Sequence, residues 1–233
     1  MRKSKVHFKV SKNSVILLGG GGHARVLQDI LEQREDVKIL GYTDWKPRED
    51  LGLKYLGNDD ALRDYSALDV YLVNAVGSMR LPQDREKVFR KGKGLGFRFL
   101  SVIHTKAVIS THTSLGEGVQ VMAGAVVNTG AVIDDDVIIN TNATVDHDGR
   151  IGAHTHLAPG VTLSGHVVIG AGCHLGTGAC VIQGIAIGRE SLIGAGAVVI
   201  RDLPERVMAW GIPAVKQAVR SPVFQSGGLK LDT

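Results

Sequence analysis

Residues 139–157 read Ile139-Asn140-Thr141-Asn142-Ala143-Thr144-Val145-Asp146-His147-Asp148-Gly149-Arg150-Ile151-Gly152-Ala153-His154-Thr155-His156-Leu157. An aliphatic residue returns at every sixth position, at Ile139, Val145, Ile151 and Leu157. Outward from there the register holds at Ile103, Ile109, Leu115, Val121, Val127, Ile133, Leu163, Ile169, Leu175, Val181, Ile187, Ile193 and Val199, with no insertion or deletion. Two residues before many of these stands a small side chain, as at Ala125, Ala131, Ala143, Cys173, Ala179 and Ala197. Each hexad is one short strand and one turn. A single hexad cannot bury its aliphatic residue, but stacked coils can. Glycine, asparagine and aspartate supply the backbone shapes that tight corners need. Seventeen hexads at three per coil predict a triangular prism of between five and six coils. The period does not set the hand of the coil, and the general crossover rule favours a right-handed one.

Residues 15–100 follow a different grammar, in which strands alternate with helices. Val15-Ile16-Leu17-Leu18 is a short buried strand, followed by Gly19-Gly20-Gly21-Gly22 and a helix from His23 to Gln33. Val37 to Tyr42, Val70 to Val76 and Phe97 to Ser101 are further strands, and Asp84 to Lys91 reads as a helix. This order predicts an α/β domain with a short parallel sheet. Composition agrees with the whole: 30 glycines and 5% aromatic residues suit turns and small, repeated core residues.

The net charge of +4 is concentrated in a tail holding Arg2, Lys3, Lys5, Lys9 and Lys12. The tail lacks the interleaved aromatics of a nucleic-acid reader, while a modest positive field suits nucleotides and CoA. No apolar run reaches the roughly 18 residues of a membrane span. Asn13 and Ser14 interrupt any signal-type apolar segment. A cytoplasmic location is expected, with Cys173 and Cys180 reduced and their spacing suggesting neither a zinc site nor a disulfide framework.

The strand-and-glycine segment Val15 to His23, the turn Val145-Asp146-His147-Asp148 and the closing Gly211-Ile212-Pro213-Ala214-Val215-Lys216 together resemble one family. It is that of the bacterial sugar acetyltransferases, which includes UDP-4-amino-sugar, perosamine and sialic acid acetyltransferases. The resemblance runs from about Val15 to about Lys216. It implies a left-handed β-helix, a homotrimer, and acetyl-CoA bound along the prism between subunits. The expected organisation is a basic tail over 1–14, a Rossmann-like nucleotide-sugar domain over 15–101, the β-helix over 102–216 and a tail over 217–233.

Carried over by position, Gly21, Gly22, His23, Asp44 and Gly77 would hold the nucleotide portion. A strand, a glycine run and a helix direct backbone N–H groups and the positive helix end at an anion. The spacing is not a clean dinucleotide fingerprint. Trp45 follows Asp44 where the family often has a second acid, which leaves the nucleotide base open. The resemblance also places His156, Gly165, Thr177 and Ala195 beside acetyl-CoA.

Acetyl transfer to an amine requires a base near neutral pH, and a histidine has the right proton affinity. His147 lies two residues after Val145, on a corner of the prism. A carboxylate beside it would orient and strengthen it. Asp148 holds the position of the family's acid, and Asp146 is a rival. An 18-residue coil stacks Asp148 under His166 and His156 under His174. No complete ligand set follows from that register, so no metal is expected. The predicted function is acetyl-CoA-dependent N-acetylation of a nucleotide-linked amino sugar of the 4-amino-4,6-dideoxy type, with His147 as general base. O-acetylation of a sialic-type sugar and a non-catalytic nucleotide-binding scaffold are the rival readings.

Overall fold

The computed structural model describes residues 13–78 and 81–217. Arg2, Lys3, Lys5, Lys9, Lys12 and the tail beyond Gln217 lie outside the described residues. Contacts divide the chain into two units. One holds the residues up to Gly77 with Arg90–Leu100, and the other holds Ser78–Phe89 with the chain from Ser101 onward.

The first unit is a four-stranded parallel sheet of β1 (Asn13–Leu18), β2 (Val37–Thr43), β3 (Val70–Asn74) and β4 (Arg98–Phe99), in the order β2-β1-β3-β4. Strand β1 starts at Asn13, inside the expected tail, because the Asn13 N–H donates to the Asp36 carbonyl at 2.7 Å. Val15 to Leu18 are buried on both faces, as a central parallel strand requires. Helix α1 (Gly22–Glu32) buries Ala24, Leu27, Ile30 and Leu31, a stripe at three- and four-residue spacing. Only two 3-10 segments, Glu49–Leu51 and Asp59–Asp64, interrupt the passage from β2 to β3. From β1 the chain moves first to one side and then to the other, which leaves a crevice at the carboxyl ends of β1 and β3.

The second unit is the prism, a left-handed parallel β-helix of two-residue strands on three faces. Pairing joins residues 18 apart, as Val145 with Leu163 and His156 with His174. The aliphatic positions from Val121 to Val199 are all buried. At the first coil, which has a neighbour on one side only, Ile109 and Leu115 are half-buried and Ile103 is 36% exposed. From Gly118 to Gly196 every sixth residue has a positive φ, between 55° and 75°. Glycine holds most of these corners, because it adopts that conformation without strain. Asp136, Asn142, Asp148, His154, His166 and Glu190 hold the others. The strand Met208–Trp210 and the antiparallel strand Val215–Lys216 close the end of one face.

Helix α2 (Gln83–Gly94) differs from the sequence reading, which assigned all of it to the first domain. Its first turns group with the prism. The reason is a buried ion pair that no local pattern announces: Arg85 meets Asp136 at 2.7 Å, both side chains fully buried. Asp136 also accepts from His154 Nδ1 at 3.0 Å, and Phe89 packs edge-on against His154. Among the described residues no helix is long and apolar enough to cross a membrane.

The burial pattern makes a graded prediction. Leu163→Ala, in mid-prism, should cost about 3 kcal/mol through transfer and cavity terms. Ile103→Ala, at the open coil, should cost less than about 1 kcal/mol because its side chain already meets water. Thermal melts of the two variants check the order, and equal losses would contradict it.

Candidate active site

At the sheet crevice the structure collects the five residues expected to hold a nucleotide. Gly21 is the extended N-cap of α1, and no side chain caps that helix. A Cβ built on Gly21 meets nothing within 4 Å, so a ligand can approach the backbone there. Gly22 and His23 form the first turn, and Gly77 faces His23, with a Cβ-to-Cβ distance of 3.2 Å for an added methyl. Asp44 serves the loop first: its carboxylate accepts from the Gly20 N–H at 3.1 Å, from Arg48 Nε at 3.2 Å and from the Trp45 N–H at 2.6 Å. Gly20, which the sequence reading did not single out, is the sterically required glycine. A Cβ there would lie 2.8 Å from the buried Tyr42 ring. Trp45 is 95% exposed beside Asp44.

The second cluster lies on a corner of the prism. His147 Nδ1 donates to Asp148 Oδ2 at 2.9 Å, which leaves the lone pair of the neutral ring on Nε2. The bond to Asp148 raises the imidazole above its ordinary proton affinity, with smaller contributions from the charges of Asp146 and Asp148. The same bond lowers Asp148. Asp146 has a different task. Its Oδ1 accepts from the His147 backbone N–H at 2.7 Å and from Asn128 Nδ2 at 2.8 Å, so it fixes the corner rather than the ring. Asn128 was not anticipated; it sits one coil below Asp146, and the 18-residue spacing was the available signal.

Gly165, expected beside CoA, lies against the His147 ring. Any Cβ there would overlap His147 Nε2 and Cε1. A Cβ on Gly130 would likewise overlap Asp148 Oδ1. Two glycines, one on the coil below and one on the coil above, thus make room for the His147 and Asp148 side chains. The side chains of His147, Asp148 and His166 converge on this corner, with polar atoms within 4.8 Å of one another, because His147 adds to the stacked pair.

Thr177 and Ala195 are exposed and stack one coil apart, with the Gly196 N–H donating to the Thr177 carbonyl at 2.8 Å. They follow the face of Leu175 and Ile193, whereas His147 follows the face of Val145, so one prism carries these two groups on different corners. His156 is buried with both ring nitrogens engaged. Asn140 Oδ1 accepts from the Thr141 N–H, so Asn140 Nδ2 donates to His156 Nε2 at 3.1 Å. His156 Nδ1 then donates to Ser78, 2.8 Å from Oγ and 3.1 Å from the carbonyl. The Ser78 hydroxyl can donate to His174 Nδ1 at 3.3 Å. Burial pushes His174 down to about 4, so it stays neutral.

The family model described as the PglD N-terminal domain matches residues 14–91. UDP-N-acetylbacillosamine N-acetyltransferase of Bacillus subtilis is 38% identical over 114 residues, which is 47% of this chain and 51% of that protein. The match thus spans about half the length of this curated relative. The acetyltransferase domain of PglB from Neisseria gonorrhoeae is 33% identical, with a TM-score of 0.83 over 88% of this chain and 100% of that one. PerB from Caulobacter crescentus, solved with CoA and GDP-perosamine, is 41% identical, with a TM-score of 0.81 over 88% and 98%.

The fold and these relatives define a hexapeptide-repeat acyltransferase. Within that class, the chain belongs to the family of sugar N-acetyltransferases that includes PglB and PerB.

The two carboxylates at the corner are separable by titration. His147 should titrate above an ordinary imidazole, as its bond to Asp148 requires. In Asp148→Asn the His147 titration should fall to lower pH, and in Asp146→Asn it should move less. Ring-proton NMR of histidine-labelled protein reads both, and the reverse ranking would assign the orienting role to Asp146.

Proposed function

We propose that the protein transfers the acetyl group of acetyl-CoA to the amino group of a nucleotide-linked amino sugar, of the 4-amino-4,6-dideoxy type. The observation that carries this reading is the His147 Nδ1 to Asp148 bond of 2.9 Å on an open corner. It fixes the tautomer whose Nε2 can accept a proton. Relatives solved with acetyl coenzyme A, and with CoA and GDP-perosamine, support the choice of substrates.

The sugar amine attacks the thioester carbonyl and gives its proton to His147 Nε2. Asp148 stabilises the imidazolium that results. A backbone N–H would hold the oxyanion of the tetrahedral adduct. The adduct collapses, the carbon–sulfur bond breaks, and the imidazolium returns the proton to the departing CoA thiolate. The nucleotide would sit at Gly21, Gly22, His23 and Gly77, with Asp44 holding that loop and Trp45 beside the base. Thr177 and Ala195 would lie along CoA, with Gly165 at the acetyl end and His156 nearby.

The active form in this reading is a homotrimer. Base and donor residues occupy different corners of one prism, so a neighbouring copy would complete each site. Ile182 and Ile200, 44% and 38% exposed, stack on the column of Asp146 and offer an apolar seat for that copy. Both substrates are intracellular metabolites, which favours a cytoplasmic location.

Incubation with labelled acetyl-CoA and a panel of nucleotide amino sugars and sialic acids tests the reaction. Label on the amino sugars is expected. Label on sialic acids alone would make the protein an O-acetyltransferase, and no label on any acceptor would leave a scaffold. His147→Ala should keep the three-chain mass and lower turnover by roughly a hundredfold or more; retention of a third of the activity would remove His147 from the mechanism. Gly165→Ala should lower kcat while the KM for acetyl-CoA holds, because the new Cβ displaces the base. A selective rise in that KM would mean that Gly165 acts on acetyl-CoA binding and not through His147.

Gly21→Val should lower the melting temperature by no more than a few degrees, since its Cβ enters open space and the cost is confined to a poorer N-cap. It should raise the KM for the nucleotide sugar far more than that for acetyl-CoA. Damage confined to acetyl-CoA would overturn the assignment of the crevice.

A further inference from the structure

Asp148 Oδ2 has two histidines on it. His147 Nδ1 is at 2.9 Å and His166 Nε2, one coil above, is at 3.6 Å. The two rings meet edge to face, 5.0 Å apart at 89°. The His166 backbone N–H also donates to the His147 carbonyl at 2.9 Å. His166 occupies a corner with a φ of 57°, where glycine would sit without strain. The same aspartate-under-histidine stack recurs in the buried pair Asp136 and His154, where Arg85 binds the second carboxylate oxygen. At the exposed stack His147 stands as the third partner.

We propose that His166 is a positioning residue for the general base: it shares the Asp148 carboxylate with His147, buttresses the His147 ring, and limits how basic that ring becomes. The catalytic part of this inference rests on the reading of His147 as the base. The charged and titratable groups around Asp148 are His147, His166 and Arg150, and Asp146 acts on His147. His166 Nε2 faces Oδ2 at 3.6 Å, beyond hydrogen-bond reach, so it acts on the carboxylate electrostatically. Its removal returns negative potential to His147, so the His147 proton affinity rises. A His166 that only stiffened the corner would act in the opposite sense. Its loss would loosen the bond between His147 and Asp148, and the proton affinity would fall.

The test uses His166→Gly, which removes the side chain at a corner where glycine is relaxed, and His166→Asn, which tolerates a positive φ and keeps a donor. His147 is followed by ring-proton NMR titration, independently of turnover, and the pH–rate profile is measured alongside. In His166→Gly the His147 titration and the acidic limb should both move up by about half a pH unit. In the same variant kcat should fall about threefold, the scale of one lost edge-on ring contact, with the KM for acetyl-CoA unchanged. His166→Asn should return the titration toward wild type. Asp148→Asn should move it the other way. A His147 titration that stays fixed or falls in His166→Gly overturns the inference. A titration that rises without any change in the rate profile upholds the coupling and removes His147 as the base.

Discussion

The left-handed corner at every sixth residue is the constraint on which the rest of the prism depends. It turns the chain after each two-residue strand and keeps every inward aliphatic residue in register with the one 18 positions away. An L-residue with a side chain gives up about 1–2 kcal/mol in that conformation, and asparagine and aspartate give up less. Glycine is therefore the default occupant. The exceptions that cost most are His154, His166 and Glu190, and each has a specific partner: Asp136, Asp148 and Arg206. Side chains survive at these corners where a contact to the neighbouring coil offsets the strain. The exposed pair of Asp148 and His166 is one instance of a rule that also builds the buried pair of Asp136 and His154.

Stacking at 18 residues also turns sequence arithmetic into chemistry. The columns place aspartate below histidine twice, and surroundings decide what each pair does. Around Asp136 the carboxylate is dry and meets Arg85 and His154 together, so the charges are committed to one another. Removing one partner there would leave an uncompensated buried charge, which makes the pair a fixed anchor for the first turns of α2. Around Asp148 the groups are half in water, and Coulomb terms are screened. The hydrogen bond to His147 dominates there, and protons can come and go.

How much of this was legible in the sequence depended on whether the signal was periodic. The six-residue register predicted the inward residues, the three faces and the stacking of Asp148 under His166 and of His156 under His174, because each follows from counting. The strand, glycine run and helix around Val15 to Gln33 were legible for the same reason. The hand of the coil was not, since the period is silent on it and the resemblance supplied it. Arg85 was not, because its partner Asp136 lies 51 residues away and helix propensity says nothing about a buried ion pair. The contact of Gly165 with the His147 ring was also hidden, because it depends on a Cβ direction that the register does not give. Nor could an extended-chain argument rank Asp146 against Asp148. The positive φ at Asp148 turns its carboxylate back onto the His147 ring, while Asp146 stays with the backbone.

Three histidines of the prism show how far position alone separates identical side chains. His174 is buried beside Ser78, and desolvation with no compensating carboxylate pushes its proton affinity down to about 4. It can accept a hydrogen bond but cannot hold a proton near neutral pH. His156, one coil below, has a donor at one nitrogen and an acceptor at the other, so its tautomer is set and its ring is held. It can line a binding surface, but it has no nitrogen to spare for proton transfer. Of the three, His147 joins an engaged Nδ1 and a half-exposed ring to a carboxylate that favours the charged form, and Gly165 is small enough to let its Nε2 fit. General base catalysis needs that combination: a fixed tautomer, an accessible lone pair and a proton affinity near the working pH. Neither the stacked pair of His156 and His174 nor the carboxylate-bound His154 supplies all three, and that contrast is what supports the proposal of His147 as the base.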